Sequence, residues 1–236
     1  MSRRLSAVIR PEFINVSLIK MSHTLVEILS FSIGIAAIAG LVRFRQLDQA
    51  YYSFIILMWA GLLNEIISTI SIAKFNSNAI SSNIYVLLES ILILSFFQQQ
   101  ELFKKRRMLY PLLTVLFIVC WCVENLIVTG IDRFGSYFRI LYSFVIVLMS
   151  IHLINNVILE DKKMLLRNPV FLIMIGFIAF FAYKILIEIF WVYGLNASRD
   201  FRVQVYRILT YINVTVNLIY AISILWMPGK REYTLL

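Results

Sequence analysis

The amino-acid sequence predicts an all-α, polytopic integral membrane protein, a seven-transmembrane-helix bundle with its N-terminus outside and its C-terminus in the cytoplasm. The chain of 236 residues is 61% hydrophobic and only 15% charged, whereas a soluble domain carries about 25% charged residues. Its apolar residues fall into seven stretches, each close to the ~20 residues that a helix needs to cross a bilayer. The stretches are 25–42, 50–73, 80–98, 109–128, 137–159, 169–193 and 203–227.

The composition of these stretches favours helices over membrane-spanning strands. They are rich in Leu, Ile, Phe and Val, and they lack the segments of about ten alternating residues that are typical of outer-membrane barrels. The connecting loops are too short to hold a soluble domain. We therefore expect an N-terminal tail over 1–24, a transmembrane domain over 25–228 and a cytoplasmic tail over 229–236.

The distribution of Lys and Arg predicts the orientation, because cytoplasmic loops of membrane proteins are enriched in these residues. One set of loops, with the C-terminal tail, contains Arg43, Arg45, Lys104, Lys105, Arg106, Arg107, Lys162, Lys163, Arg167, Lys230 and Arg231. The alternate set contains Lys74, Arg133, Arg199 and Arg202. The first set should face the cytoplasm, so the net charge of +9 indicates membrane orientation and not a nucleic-acid partner.

The N-terminal tail conflicts with this orientation, since four basic residues of the tail would lie outside. Two explanations stay open: the native protein starts at Met21, or residues 5–19 lie flat in the membrane interface with their apolar side chains buried. A signal peptide cleaved near residues 37–39 is a third and would leave six helices.

Acidic residues occupy corresponding ends of the apolar stretches. Once the chain is threaded back and forth, they fall toward one side of the membrane with one lysine; the set is Glu27, Glu65, Glu89, Glu124, Lys184 and Glu188. Charged groups in hydrocarbon are costly and normally mark a functional interior. The sequence therefore predicts a polar layer in the outer half of the bundle.

Helical periodicity predicts that the layer faces inward. In the last stretch, polar residues recur every three or four positions and form one stripe: Tyr206, Thr210, Asn213, Asn217 and Tyr220. Gly61, Glu65 and Ser68 share a face of the second stretch, and Tyr85 lies one turn from Glu89 in the third. His152 and Asn156, one turn apart in the fifth, are candidates for an inner relay.

Two interpretations of this layer compete. Lys184 could pair with glutamates while the other polar groups lock the helices in register, or the layer could line a pocket open to water. One lysine cannot neutralise four deep glutamates, which favours a pocket. Its predicted lining is Glu65, Glu89, Glu124, Lys184, Glu188, Asn213, Asn217, Tyr85 and Tyr206.

Motifs of membrane enzymes are missing from the sequence. It contains no zinc-protease HExxH motif, no nucleophile elbow and no pair of aspartates in the apolar stretches, and it has only two histidines. We expect no catalytic residues, no metal and no cofactor.

Four segments together carry a family resemblance: WAGLLNE at 59–65, NIYVLLE at 83–89, Tyr183 and Lys184 before Glu188, and Asn213 and Asn217 ahead of Trp226. The chain resembles uncharacterised small multi-pass membrane proteins that are similar to the seven-helix sensing portion of some bacterial histidine kinases. The resemblance implies a sensing role. No kinase domain follows before Leu236, so signalling is expected to need a separate partner.

The sequence thus favours a receptor-like or signalling-accessory protein of the bacterial inner (plasma) membrane that binds a small polar or cationic ligand. A signalling partner would contact the basic loops 102–108 and 160–168, and a homo-oligomer is compatible with the sequence. The alternative is a proton- or cation-coupled transporter or channel, and the third is a structural membrane subunit without a ligand.

Overall fold

A computed structural model describes residues 28–160, 165–194 and 199–230. The regular structure of these residues is helical, apart from one isolated bridge between Leu47 and Gly229. The helices are α1 (Ile33–Arg43), α2 (Tyr52–Phe75), α3 (Ala79–Gln99), α4 (Leu109–Cys122), α5 (Tyr137–Glu160), α6 (Pro169–Val192) and α7 (Arg199–Trp226). Helix α4 continues as a π-helical turn over Val123–Val128. The N-terminal tail and Glu27 lie outside the described residues.

Six helical segments are long and apolar enough to cross a membrane, and they correspond to the last six predicted stretches. The first stretch contributes the shorter apolar helix Ile28–Arg43. The prediction of an all-α, multi-pass membrane protein is confirmed at this level. The seventh crossing and the orientation of the termini stay predictions.

Local sequence signals account for several helix ends. The Asn168 side chain accepts hydrogen bonds from the backbone N–H groups of Val170 and Phe171, and Pro169 occupies the first turn of α6, where its missing N–H costs nothing. Helix α2 ends at Asn76, whose φ of 55° is left-handed, a conformation that asparagine tolerates at helix C-termini.

The helices pack into a closed ring. Consecutive helices contact one another around the ring, α3 also contacts α5, and α1 packs against both α2 and α7 to close it. Helix α1 is therefore an integral part of the bundle, although it is shorter than its neighbours.

The ends of four helices meet at one end of the bundle, which we call the basic end after the arginine- and lysine-rich loops predicted to be cytoplasmic. The Arg43 side chain donates hydrogen bonds to the carbonyls of Ile224 and Met227 at the end of α7. Lys230 N–H donates to the Gln46 carbonyl at 2.7 Å. The neighbouring Gln100 side chain donates to Ala50 O at 2.8 Å. The chain therefore alternates between the two ends.

An interlocked group of rings fills the half of the bundle near the basic end. This aromatic core consists of Phe54, Phe96, Phe97, Phe177 and Tyr220, and its neighbouring ring centroids lie 5.2–6.3 Å apart. A Cβ added to Gly176 would collide with the Tyr220 ring, so this glycine allows α6 and α7 to approach closely. The packing leaves α2, α3, α6 and α7 firmly joined below the polar layer.

Candidate functional site

A cavity of about 120 Å³ lies in the middle of the bundle, above the aromatic core. We call it the inner cavity. Its walls come from α2, α3, α6 and α7, with Ser30 just before α1 and Ile33 at its first position. Six of the nine pocket residues predicted from the sequence line it: Glu65, Tyr85, Glu89, Lys184, Asn213 and Asn217. The inward-facing stripes of four helices thus meet at one place.

Glu89 is the most extensively bonded acidic residue of this cavity. One carboxylate oxygen, Oε2, accepts hydrogen bonds from the Tyr142 hydroxyl at 2.6 Å and from the Lys184 ammonium at 3.0 Å. The other oxygen accepts from the Tyr85 hydroxyl at 3.3 Å. Glu89 is 6% exposed. A buried carboxylate with three donors, one of them cationic, is fully compensated.

The Lys184 ammonium lies among aromatic faces as well. It is 5.1 Å from the ring centroid of Tyr142, 5.4 Å from that of Phe181 and 5.5 Å from that of Phe180. It also donates a hydrogen bond to the Tyr142 hydroxyl. Aromatic faces attract cations through the ring quadrupole, most strongly where water is excluded. We refer to Glu89, Tyr142, Phe180 and Phe181 as the ammonium cage.

Glu65 has a different environment. It is half-buried in the wall of the inner cavity, and the Ser30 side chain hydrogen-bonds its carboxylate. Among the described residues, no Lys or Arg forms an ion pair with it; the ion pairs found there join Lys104 to Glu101, Arg139 to Glu188 and Lys184 to Glu89. Glu65 thus has a neutral hydrogen-bond partner and, along the described chain, no cation within ion-pair distance.

The asparagine stripe of α7 connects the cavity to Ser32, the residue before α1. The Asn217 side-chain N–H donates to the Ser32 hydroxyl at 2.8 Å and to the Asn213 side-chain oxygen at 3.4 Å. The neutral amides of Asn213 and Asn217 thus line the same cavity as Glu65. Such groups coordinate small cations without adding charge of their own.

A second and larger cavity, of about 760 Å³, lies closer to the opposite end of the bundle. We call it the vestibule. Its lining includes Ser136, Arg139, Glu188 and Trp191, and it shares Phe180 and Lys184 with the inner cavity. These two side chains of α6 therefore form part of the partition between the two spaces.

The vestibule contains its own charge pair. The Arg139 guanidinium lies 3.6 Å from the Glu188 carboxylate, which also accepts a hydrogen bond from the Ser136 hydroxyl at 2.7 Å. Arg139 donates to the Ser82 hydroxyl at 2.9 Å and to the Asn83 side-chain oxygen at 3.0 Å. Because the Arg139–Glu188 separation exceeds hydrogen-bond distance, Glu188 retains the capacity to accept further donors.

Glu124 lies apart from the inner cavity and has a structural role. Its two oxygens accept the backbone N–H groups of Tyr137 at 2.9 Å and Phe138 at 2.5 Å, in the first turn of α5. A carboxylate there satisfies free N–H groups and interacts favourably with the helix dipole. Gly135 leaves room for it, since an added Cβ would lie 2.9 Å from the carboxyl carbon. Glu124 still borders the vestibule.

The remaining predicted residues do not gather at these cavities. His152 is exposed and Asn156 half-buried, and neither lines the inner cavity or the vestibule. The proposed inner relay therefore has no connection to the polar layer along the described chain. The side chain of Tyr206 lies outside the described residues. No group of three or more His, Cys, Asp or Glu side chains suited to a metal occurs in the ranges described.

Sequence reasoning missed Tyr142 and Asn83 as organising residues. Tyr142 is fully buried between Glu89 and Lys184, but a tyrosine in an apolar stretch carries no signal of its partner. The Asn83 side chain donates to the carbonyls of Ile131 and Arg133 and so holds the loop before α5 in place. These carbonyls lie about fifty positions away in the sequence, so only the three-dimensional structure shows this role of Asn83.

Comparison with protein-family models, with curated proteins and with solved structures found no match to this chain. The geometry of the two cavities therefore carries the functional argument.

Proposed function

We propose that this protein is a seven-crossing, receptor-like or signalling-accessory protein of the bacterial inner membrane whose inner cavity binds a small monovalent cation from outside. The observation that carries the proposal is Glu65, a carboxylate in the cavity wall without a cationic partner among the described residues. A charge at membrane depth needs such a partner. A bound cation would supply it.

The charges around the inner cavity support a single positive charge on the ligand. Glu65 and Glu89 contribute two negative charges and Lys184 contributes one positive charge. Since Lys184 already pairs with Glu89 at 3.0 Å, an ionised Glu65 would leave a charge of −1 at the site. One monovalent cation would make the site neutral.

The volume of the cavity limits the size of the ligand. About 120 Å³ corresponds to roughly four water molecules at ~30 Å³ each. This space suits an alkali cation with part of its hydration shell, an ammonium ion or a methylammonium ion. Tetraethylammonium, with its four ethyl groups, is much bulkier than any of these ions.

The aromatic core supports sensing over conduction. Phe177 and Tyr220 belong both to the cavity lining and to the core, so the floor of the cavity is made of interlocked rings. A dead-end site can still transmit binding through small shifts of packed helices. We propose that such shifts are read by a separate protein at the basic loops 102–108 and 160–168.

The test compares wild type with Glu65→Gln in detergent micelles. We expect sodium, potassium, ammonium or methylammonium chloride to raise the thermal unfolding midpoint of wild type saturably, as a ligand specific for the folded state must. Glu65→Gln should lose this response, whereas Glu101→Gln, an exposed carboxylate at the basic end, should keep it. Tetraethylammonium chloride at equal ionic strength is the salt control. Wild type that responds equally to all these salts would refute the proposal.

A cation-coupled transporter is the second candidate, and the shared wall of the two cavities favours it. Lys184 and Phe180 border both spaces, so their movement would create a path from the opposite end to the middle of the membrane. Transport also requires the aromatic core to open. Cation flux into liposomes that contain only the purified protein, lost in Glu65→Gln, would favour this function over reception.

A further inference from the structure

The environment of the Lys184 ammonium is a complete recognition site for a cation. Its partners are a carboxylate oxygen of Glu89 at 3.0 Å, the Tyr142 hydroxyl, and three aromatic faces with centroids 5.1–5.5 Å away. A carboxylate combined with aromatic faces is the arrangement by which proteins recognise ammonium ligands. In this protein the ammonium belongs to the chain itself.

We propose that the ammonium cage is a binding site for primary alkylammonium ligands and that Lys184 is its resident, competing occupant. The site borders the same inner cavity as Glu65 but is centred on another carboxylate, Glu89, with Tyr142, Phe180 and Phe181 around it. A ligand entering from the vestibule would replace the Lys184 ammonium on Glu89. No covalent bond forms or breaks in this exchange.

The position of Lys184 makes the exchange accessible from the vestibule. Its side chain is 15% exposed and borders the vestibule as well as the inner cavity. Of the cage and its lysine, Phe180 and Lys184 are therefore the side chains that an incoming alkylammonium would reach first. Glu89 and Phe181 line the inner cavity behind them.

Glu188 offers the displaced lysine a second partner. It lies one turn beyond Lys184 on α6, and residues four apart on a helix can reach each other. Glu188 lines the vestibule, and its carboxylate is 3.6 Å from Arg139, so it can accept another donor. After the exchange, Glu89 would pair with the ligand and Glu188 with the Lys184 ammonium, so both carboxylates would have a cationic neighbour. Charge balance therefore does not oppose the exchange.

The exchange would also connect the two cavities. Lys184 stands in the partition between them, and its movement toward Glu188 would remove one of the two side chains that both spaces share. Ligand binding in the cage would thus open the inner cavity to the vestibule.

The experiment removes the Lys184 ammonium by mutation and supplies an alkylammonium ion in solution in its place. Lys184→Ala removes three methylenes and the ammonium, which together correspond to n-propylammonium. We expect this variant, made together with Glu65→Gln to remove the other cation site, to have a lowered unfolding midpoint that n-propylammonium chloride raises saturably. Equal concentrations of 1-propanol or sodium chloride should not raise it. Lys74→Ala, which removes an exposed lysine, serves as the matched control and should show no response.

The affinity for n-propylammonium tests whether Lys184 and the ligand compete for the ammonium cage. Because a tethered lysine acts at a high effective concentration, n-propylammonium should bind the Lys184→Ala variant at least tenfold more tightly than it binds the protein with Lys184 present, as measured by calorimetric titration. Adding Glu89→Gln to the variant should abolish this binding. If Lys184→Ala does not fold, Lys184→Met, which keeps most of the side-chain volume, is used with methylammonium instead.

Several outcomes would overturn the inference. They are a folded Lys184 variant that gains no alkylammonium binding, a gain that survives Glu89→Gln, and an equal affinity with and without Lys184. Since all measurements are made on the Glu65→Gln background, they do not depend on the response of Glu65 to cations. Failure at one site is therefore distinguishable from failure at the other.

Discussion

The two halves of the bundle are built from the same helices but differ in their interiors. In α6, Phe177 packs in the aromatic core, while Lys184, two turns further along, borders both cavities. In α3, Phe96 and Phe97 belong to the core and Glu89 to the cage. Apolar rings can fill space without directional partners, whereas buried charges require donors, counter-charges or water. The difference explains why one half is closed and the other contains cavities.

Removing the cation of the buried pair should have the largest effect on stability. Lys184→Met leaves Glu89 buried without a counter-charge, which we expect to lower the free energy of unfolding by about 3 kcal/mol. The double variant with Glu89→Gln should recover part of this loss, because no charge is then left alone. Denaturant titration in mixed micelles measures both. A double variant less stable than Lys184→Met would contradict the pair described here.

A cavity created in the aromatic core, near the basic end, should lower the free energy of unfolding somewhat less than the loss of the buried cation does. Phe96 is fully buried among four aromatic rings, and Phe96→Ala should lower the free energy of unfolding by about 2 kcal/mol. This is below the 3–5 kcal/mol typical of soluble proteins, because lipid and not water solvates the ring in the unfolded state. The same titration measures it. Because Phe96 packs on Phe177 in the floor of the inner cavity, the folded variant should also show an altered cation affinity, and an unchanged affinity would argue against transmission of binding through the core.

The cap of α5 should contribute a smaller amount. Glu124→Gln removes the negative charge that faces the first turn of α5 while preserving the shape of the side chain. We expect a loss of about 1 kcal/mol in the free energy of unfolding, measured in the same way. Faster hydrogen exchange confined to the beginning of α5 would identify the cap as the cause. Exchange that accelerates evenly across the bundle would argue against it.

Glu65 should have the smallest effect in the absence of ligand. Its carboxylate has no cationic partner among the described residues, so Glu65→Gln removes a costly charge without leaving another one alone. In buffer without small cations, we expect the free energy of unfolding to change by less than about 1 kcal/mol, in either direction. A loss as large as that of Lys184→Met would mean that Glu65 is a structural residue like Glu89, which would remove the contrast between the two glutamates.

Much of the fold and part of the site were predictable from the sequence. The apolar stretches correspond to helices, and the polar stripes of the second, third, sixth and seventh stretches meet at the inner cavity, because helical periodicity alone places them on one face. The prediction failed to separate the roles of the glutamates. Glu124 caps α5, Glu89 is paired within the cage, and Glu65 forms no ion pair along the described chain, although all three look alike as single charges in apolar stretches.

Partners could not be predicted because they come from distant parts of the chain. Tyr142, Phe180 and Phe181 surround Lys184 only because α5 and α6 pack against each other with one particular rotation. Asn83 organises the loop before α5 through contacts that span about fifty residues. A single sequence records each helix face but not the register between faces.

The sequence by itself determined that the chain forms apolar helices, that charged side chains cluster in one half of the bundle, and that these side chains face inward. Hydrophobicity and periodicity are local properties, and they suffice for these conclusions. Only the tertiary structure decided which carboxylate has a cation, which caps a helix and which borders a cavity without an ion pair in the part of the chain that the structure describes. Those distinctions depend on distances of a few ångström between helices, since the energy of a buried charge is set by the groups that touch it.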